Sequence, residues 1–156
     1  MRKEFVATGF IVNGDKTLLV HHKKLEKWLP VGGHIEKEET PEQALEREAM
    51  EEAGLTIEIL EQKHFENEDS ARLKVPHYMQ VELIPDKQKG LHEHIDLIFF
   101  CKTKENKITL NKKEHHDIKW FTAKDLENEE IMPNVRILGK KAIETANKHQ
   151  SEKNVA

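Results

Sequence analysis

An α/β fold, in which a β-sheet lies between helices, is predicted by the order of the strand-like and helix-like segments. Short segments rich in β-branched and aromatic residues recur along the chain, a capped helix interrupts them over residues 40–53, and a second main helix closes the chain. Of the 156 residues, 37% are hydrophobic and 35% charged, as in one globular domain with a heavily charged exterior. We therefore expect a single domain over residues 1–150 and a flexible polar tail over residues 151–156.

The first elements follow from local patterns. Residues 5–12 and 17–21 are expected to be strands, because the turn Asn13-Gly14-Asp15 between them is typical of a hairpin. Residues 23–34 are expected to form a loop. After the helix, the β-branched segment 56–60 is expected to be a strand.

The later elements are less regular in pattern. Pro76 marks the segment 72–83 as an edge or broken strand, because proline cannot donate a hydrogen bond to a neighbouring strand. The most apolar run, residues 95–102, is expected to be a central strand. The remaining elements are a short strand over 118–121, a short helix opening at 122–125 and a closing helix over 135–148.

The helix over residues 40–53 has the clearest boundaries. Thr40 suits the N-cap, Pro41 the first helical position, and Gln43 completes a Thr-x-x-Gln capping box. Gly54 lies where a left-handed residue would end the helix. An apolar stripe suited to packing on a sheet is formed by Leu45, Ala49 and Ala53.

Three carboxylates lie beside that stripe. Glu48, Glu51 and Glu52 stand at i, i+3 and i+4, so they project from one side of the helix. The like-charged pair Glu48 and Glu52 costs a few tenths of a kcal/mol in an isolated helix. A divalent cation among the three carboxylates would explain the pattern, and oxygen ligands suit Mg²⁺ or Mn²⁺. Judged by spacing alone, the alternative is a solvated, glutamate-rich face, which is the usual role of a run of glutamates.

The full pattern around this helix is more specific. It reads Gly33, five residues, Glu39, seven residues, Arg47-Glu48, a hydrophobic residue, any residue, Glu51-Glu52, any residue, Gly54 and a hydrophobic residue. This pattern resembles the signature of the Nudix hydrolases, with the small Ala49 at the first hydrophobic position. The resemblance implies the Nudix α/β/α sandwich, with a mixed β-sheet and a loop–helix–loop catalytic box.

The resemblance also implies a chemistry and a set of metal ligands. Members hydrolyse a phosphoanhydride bond of a nucleoside diphosphate linked to another group, with Mg²⁺ or Mn²⁺ bound by the box carboxylates. Here those ligands would be Glu48, Glu51 and Glu52, with the carbonyl of Gly32 before the box. Glu114 resembles a further acidic group that the family supplies from a downstream loop, although its polar surroundings equally suit a solvated turn. Glu48, Glu51 or Glu114 could each be the general base, and the sequence does not choose among them.

Arg47 and Glu39 are expected to support these ligands. Arg47 can orient a carboxylate, such as Glu39 or Glu51, by charge-assisted hydrogen bonds. For Glu39, a favourable charge near the helix N-terminus is the alternative.

Candidate substrate contacts are Asn134, Tyr78 and His94. Asn134 resembles the place where MutT-like members recognise a purine edge, and its alternative role is to cap the last helix. Tyr78 lies where other branches of the family carry marker residues. His94 belongs to His92-x-His94-x-Asp96, a pattern compatible with substrate contacts, a solvated strand end or a metal triad. The pairs His21-His22 and His115-His116 are expected at the surface.

The leading function is hydrolysis of a (deoxy)nucleoside triphosphate to the monophosphate and pyrophosphate. The alternatives are a pyrophosphatase of ADP-ribose, nucleotide sugars or dinucleoside polyphosphates, and a non-catalytic nucleotide-binding Nudix module. The binding modules usually lack a box carboxylate, whereas every one is present here.

Composition limits the partners. A net charge of −4 argues against nucleic-acid duplex binding, which requires a basic surface. No apolar run reaches membrane-spanning length, and the single cysteine, Cys101, cannot form an intrachain disulfide. We therefore expect a cytoplasmic protein that binds a small nucleotide and no membrane, with a homodimer left open.

Overall fold

The computed structural model describes residues 1–60 and 69–155. Within these ranges the chain forms eight strands, two α-helices and a short 3₁₀ helix, Asp125–Glu127. The strands are β1 Lys3–Asn13, β2 Lys16–His22, β3 Lys27–Leu29, β4 Val31–His34, β5 Glu58–Ile59, β6 Tyr78–Asp86, β7 Gly90–Lys102 and β8 His115–Thr122. The helices are α1 Pro41–Ala53 and α2 Pro133–Val155.

The sheet is mixed, as the resemblance implies. Its centre is the parallel pair β1 and β7, in register from Lys3 opposite Glu93 to Val12 opposite Lys102. The outer side of β1 pairs antiparallel with β4 and β2, and the outer side of β7 with β6 and β5. Two further strands, β3 and β8, pair with β2. The predicted central strand over 95–102 is confirmed, and the observed strand begins earlier, at Gly90.

One helix packs on each face of the sheet, which confirms the predicted α/β/α sandwich. On one face, Leu45 and Ala49 of α1 join a buried cluster with Ile11 and Phe99. On the other face, Leu138 of α2 joins a second cluster that includes Phe10 and Phe100. Successive residues of β1 and β7 point to opposite faces, so these two strands contribute to both clusters.

The predicted loop over residues 23–34 is wrong, because it contains β3 and β4. Gly32 and Gly33 lower the strand propensity of β4, so the local sequence pattern does not predict a strand there. Pairing with β1 nevertheless holds it in the sheet, and a side chain at Gly32 would place its Cβ 2.4 Å from the carbonyl oxygen of Ala7.

Other boundaries differ by a few residues. The segment predicted over 72–83 becomes a strand only at Tyr78, after Pro76, and its position beside β7 fits the predicted edge strand. The strand predicted over 56–60 is shorter than expected and covers only Glu58–Ile59. The strand predicted over 118–121 is longer and covers His115–Thr122. Helix α2 continues to Val155 and so includes most of the predicted tail, whose Glu152 and Lys153 are good helix formers.

Candidate active site

Helix α1 is fixed in position by the signals that predicted it. The Thr40 hydroxyl accepts a hydrogen bond from the Gln43 backbone N–H at 3.2 Å, and the Gln43 side chain accepts one from the Thr40 N–H at 2.9 Å. Gly54 ends the helix with a φ of 68°. Leu45 and Ala49 are fully buried against the sheet, which sets the rotation of the helix about its axis. That rotation turns Glu48 and Glu52 toward a cleft.

The cleft has a volume of about 630 Å³ and is lined by residues of both helices and of several strands. This volume lies within the usual range for small-molecule sites. Glu48 and Glu52 lie in its wall together with Gly32 and Gly33 of β4. A Cβ on Gly33 would lie 2.4 Å from Oε1 of Glu48, so the Glu48 carboxylate approaches the β4 backbone in space that a side chain would fill.

Glu52 is 2% exposed, and each of its carboxylate oxygens has a partner. The Gly32 N–H donates to Oε1 at 3.0 Å, and Nε2 of His115 forms a hydrogen bond with Oε2. Buried carboxylates are retained in proteins when they are hydrogen-bonded or paired in this way. Glu52 is therefore held rigidly between β4 and β8.

His115 is a site residue that the sequence did not reveal, and its expected surface position is wrong. It is 3% exposed, and its Nδ1 atom is buried with no hydrogen-bond partner among the described residues. If side chains alternated strictly along β8 from the buried Ile118, His116 rather than His115 would point to the α1 side of the sheet. The β2–β8 register shifts at this point, pairing His21 with Asp117 and His22 with His115, and this bulge turns His115 inward instead.

Glu48 lies close to Glu52, and this proximity has an electrostatic cost. Burial, assisted by the neighbouring Glu52 carboxylate and opposed by Arg47, raises the pKa of Glu48 to about 7. Ionising two neighbouring carboxylates in a desolvated wall costs free energy unless a nearby cation compensates their charge. Oxygen donors of this kind fit a hard divalent ion. The residues present therefore fit a metal site.

Arg47 connects the other acidic residues of the box. Its guanidinium donates to Glu39 at 2.7 and 3.2 Å, to Glu48 at 2.9 Å, to Glu51 at 3.3 Å and to the backbone carbonyl of His34 at 3.1 Å. The bond to Arg47 holds the pKa of Glu39 below its usual range, and the Glu39 and Glu48 carboxylates raise the pKa of Arg47 above its usual range. The side chain of Glu51 is 54% exposed and lies beside Arg47, outside the residues that line the cleft.

Three other candidates line the cleft, and Tyr78 does not. The Glu114 carboxylate lies 3.9 Å from Nε2 of His115, and Glu52, Glu114 and His115 have possible ligand atoms within 4.8 Å of one another. Asn134 and His94 lie elsewhere along the cleft wall. Asn134 is the second residue of α2, so it does not occupy the N-cap position that was its alternative role. Tyr78 packs on Phe100, with 5.8 Å between the ring centroids.

Comparison with known proteins identifies the family. The family model described as the NUDIX domain matches residues 3–138. The chain belongs to the Nudix family. A curated relative, the nucleoside triphosphatase NudI of Klebsiella pneumoniae (strain 342), is 30% identical over 111 residues, which cover 71% of this chain and 72% of the relative. A second, NudI of Enterobacter sp. (strain 638), is 35% identical over 100 residues, or 64% of each chain.

Solved Nudix structures share the fold. A NUDIX-family hydrolase from Clostridium perfringens superposes with a TM-score of 0.76 at 30% identity, covering 94% of this chain and 99% of that one. The MutT NUDIX hydrolase from Burkholderia pseudomallei gives 0.58 at 19% identity, covering 92% of this chain and 98% of that one, which shows the fold alone. The protein is therefore a Nudix hydrolase, an enzyme of a family that uses divalent metal ions. Among the described helices, none combines the length and hydropathy that crossing a membrane requires.

Proposed function

We propose that this Nudix hydrolase cleaves nucleoside triphosphates to the monophosphate and pyrophosphate, with Mg²⁺ as the metal and Mn²⁺ as a substitute. The observation that carries the proposal is the pair formed by the partly buried Glu48 and the buried Glu52 in the wall of a cleft that Asn134 also lines. The carboxylates supply a cation site for phosphates, and the asparagine supplies a donor and an acceptor for a base edge. The name of the NudI relatives, nucleoside triphosphatase, agrees with this substrate class.

The proposed function assigns each acidic residue around the cleft a role in metal binding or in positioning the ligands. Glu48 and Glu52 would hold the metal, with the Gly32 carbonyl, Glu51 and Glu114 as further ligands. A bound divalent ion neutralises phosphate charge and lowers the pKa of a coordinated water. Arg47 and Glu39 position Glu48 through the hydrogen bonds described above. Glu48, Glu51 and Glu114 remain the candidates for the general base, and of these Glu48 and Glu114 line the cleft.

Asn134 and His94 are proposed to contact the substrate, since both line the cleft. Removing the amide of Asn134 should raise KM for a purine triphosphate about tenfold, corresponding to about 1.4 kcal/mol for the lost hydrogen bonds, while kcat changes little. An unchanged KM in Asn134→Ala would remove this residue from base recognition. Tyr78 is also proposed to contact the substrate. It is the weaker candidate, because it would have to leave its contact with Phe100 to reach the cleft.

The proposal is tested by measuring phosphate and pyrophosphate release in the presence of Mg²⁺. The substrates are the nucleoside triphosphates, ADP-ribose, nucleotide sugars and dinucleoside polyphosphates. Preferential pyrophosphate release from triphosphates supports the proposal. Turnover of only a dinucleotide or of ADP-ribose would keep the hydrolase and overturn the substrate. Nucleotide binding without turnover would favour the non-catalytic module.

A matched pair of variants tests the site. Glu52→Gln keeps the volume of the side chain but removes a buried charge, so kcat should fall by at least about 100-fold. Glu46→Gln makes the same change on the same helix at an exposed position and should leave kcat unaltered. Equal activity of the two variants would contradict the metal assignment.

The cytoplasmic location and the homodimer stay predictions. For the homodimer, the described residues offer a surface along β6, which pairs with β7 alone and exposes the apolar side chains of Met79, Val81 and Leu83. An edge strand with an apolar face is self-complementary, so a second copy of the chain is the partner we propose for it.

A further inference from the structure

A second cluster of metal-ligating side chains lies where β1, β4 and β7 meet. It consists of Glu4 of β1, His34 of β4, and His92 and His94 of β7. The parallel register places Glu4 opposite His94, and His92 and His94 alternate onto the same face of β7. The fold thus collects in one place residues that are far apart in the sequence.

The cluster differs from the triad that the sequence suggests. Asp96 does not join the two histidines; its Oδ1 accepts a hydrogen bond from the Thr8 hydroxyl at 2.9 Å. Glu4 takes its place, so the third group comes from another strand. Glu4, His92 and His94 have possible ligand atoms within 4.8 Å of one another.

The distances match a tetrahedral site. Nε2 of His92 lies 3.2 Å from Nε2 of His94, and Oε2 of Glu4 lies 3.5 Å from each of these nitrogens. Around a tetrahedral zinc ion with bonds of about 2.0–2.2 Å, neighbouring ligand atoms are roughly 3.3–3.6 Å apart. The three side chains therefore need little rearrangement to bind such an ion.

His92 is oriented as metal-binding histidines commonly are. It is 1% exposed, and its Nδ1 lies 2.9 Å from the carbonyl oxygen of Gly90. A carbonyl only accepts hydrogen bonds, so Nδ1 carries the hydrogen and, in the neutral ring, Nε2 presents its lone pair to His94 and Glu4. A backbone carbonyl behind a ligating histidine fixes its tautomer and ring orientation in the same way.

We propose that Glu4, His92 and His94 bind a divalent transition-metal ion of the zinc type. His34 lies at the open side, with its Nε2 2.6 Å from Oε2 of Glu4, and either it or a ligand atom from the cleft completes the site. Two imidazoles and one carboxylate suit Zn²⁺ or Co²⁺, whereas the box carboxylates suit Mg²⁺. His34 and His94 also line the cleft, so the ion would add positive charge at the rim that receives an anionic substrate.

The test uses the tag-free, metal-stripped full chain titrated with Co²⁺, which absorbs visible light strongly when tetrahedral. The wild type should develop this absorption, and Zn²⁺ but not Mg²⁺ should remove it. His94→Gln and Glu4→Gln each delete a ligand and should weaken Co²⁺ binding about 100-fold or more. Neither side chain is fully buried, and circular dichroism checks that each variant folds.

The matched control is His115→Gln, because His115 belongs to the competing group with Glu52 and Glu114. It should keep the Co²⁺ absorption of the wild type. Loss of the signal in His115→Gln alone would place the ion in the box instead. Equal Co²⁺ affinity in the wild type, His94→Gln and Glu4→Gln would overturn the proposal, as would a wild type that shows no tetrahedral absorption. If His94→Gln fails to fold, Glu4→Gln decides the matter.

Discussion

Replacing Gly33 with alanine should damage activity without damaging the fold. The new Cβ would lie 2.4 Å from Oε1 and 2.7 Å from Cδ of Glu48. Non-bonded heavy atoms rest about 3.5 Å apart, so the carboxylate must retreat by roughly 1 Å. A misplacement of about 1 Å in an active site can cost about 100-fold in rate, or about 2.7 kcal/mol of transition-state stabilisation. The displaced group is the end of a flexible side chain, so the free energy of unfolding should change by less than about 1 kcal/mol.

The adjacent glycine provides the matched control. A Cβ on Gly32 would lie 2.4 Å from the carbonyl oxygen of Ala7 and 2.7 Å from Cα of Thr8, and these backbone atoms belong to a central strand. Gly32→Ala should therefore destabilise the fold by about 1–3 kcal/mol. Urea unfolding and Mg²⁺-dependent pyrophosphate release, measured on both variants, separate the two effects. Full turnover by a stable Gly33→Ala enzyme would refute the reasoning about Glu48.

Three further changes test other parts of the structure. Arg47→Lys replaces the planar guanidinium with a single ammonium group that cannot hydrogen-bond Glu39 and Glu48 in the same way, so kcat should fall about 10–100-fold in the pyrophosphate assay. An unchanged kcat would show that these Arg47 hydrogen bonds are not needed for activity. Burial, assisted by Glu82, raises the pKa of Asp96 to about 8, so the folded state holds a proton that the unfolded state releases near its ordinary pKa of 3.8. The free energy of unfolding should then fall as pH rises between these values, by at most about 1.4 kcal/mol per pH unit for this proton, and Asp96→Asn should remove that slope in urea titrations. Val81→Lys should convert the proposed homodimer to a monomer in size-exclusion chromatography with light scattering, and a monomeric wild type would reject the interface.

The sequence predicted those features that depend on neighbours in the chain. Helix α1 was placed correctly because Thr40, Gln43 and Gly54 are local signals that act within one or two turns. The apolar run of β7 identified the central strand for the same reason. The family signature then extended this local information to the α/β/α sandwich, which no single segment specifies.

What the sequence did not reveal depends on pairing between distant segments. Strand β4 is held by β1 rather than by its own propensity. His115 faces Glu52 because of a bulge opposite His21 and His22, and a bulge leaves no mark in the alternation of one strand. Glu4 joins His94 only through the parallel register of β1 and β7. Each of these residues is visible only after the register of the sheet is known.

The box carboxylates differ in how far neighbouring groups compensate their negative charge. Arg47 is one cation shared among Glu39, Glu48 and Glu51, and it contacts the cleft wall through Glu48 without lining the cleft itself. Glu52 receives one N–H from Gly32 and one contact from His115, while Glu48 has lost much of its hydration. The wall of the cleft is thus less compensated than the outer face of the helix. Since a partly compensated pair of desolvated carboxylates is costly, the free energy lost by holding Glu48 and Glu52 together is available to favour cation binding at that wall. Arg47 therefore fixes the geometry of Glu48 while only partly neutralising the wall to which a metal and its phosphate ligand would bind.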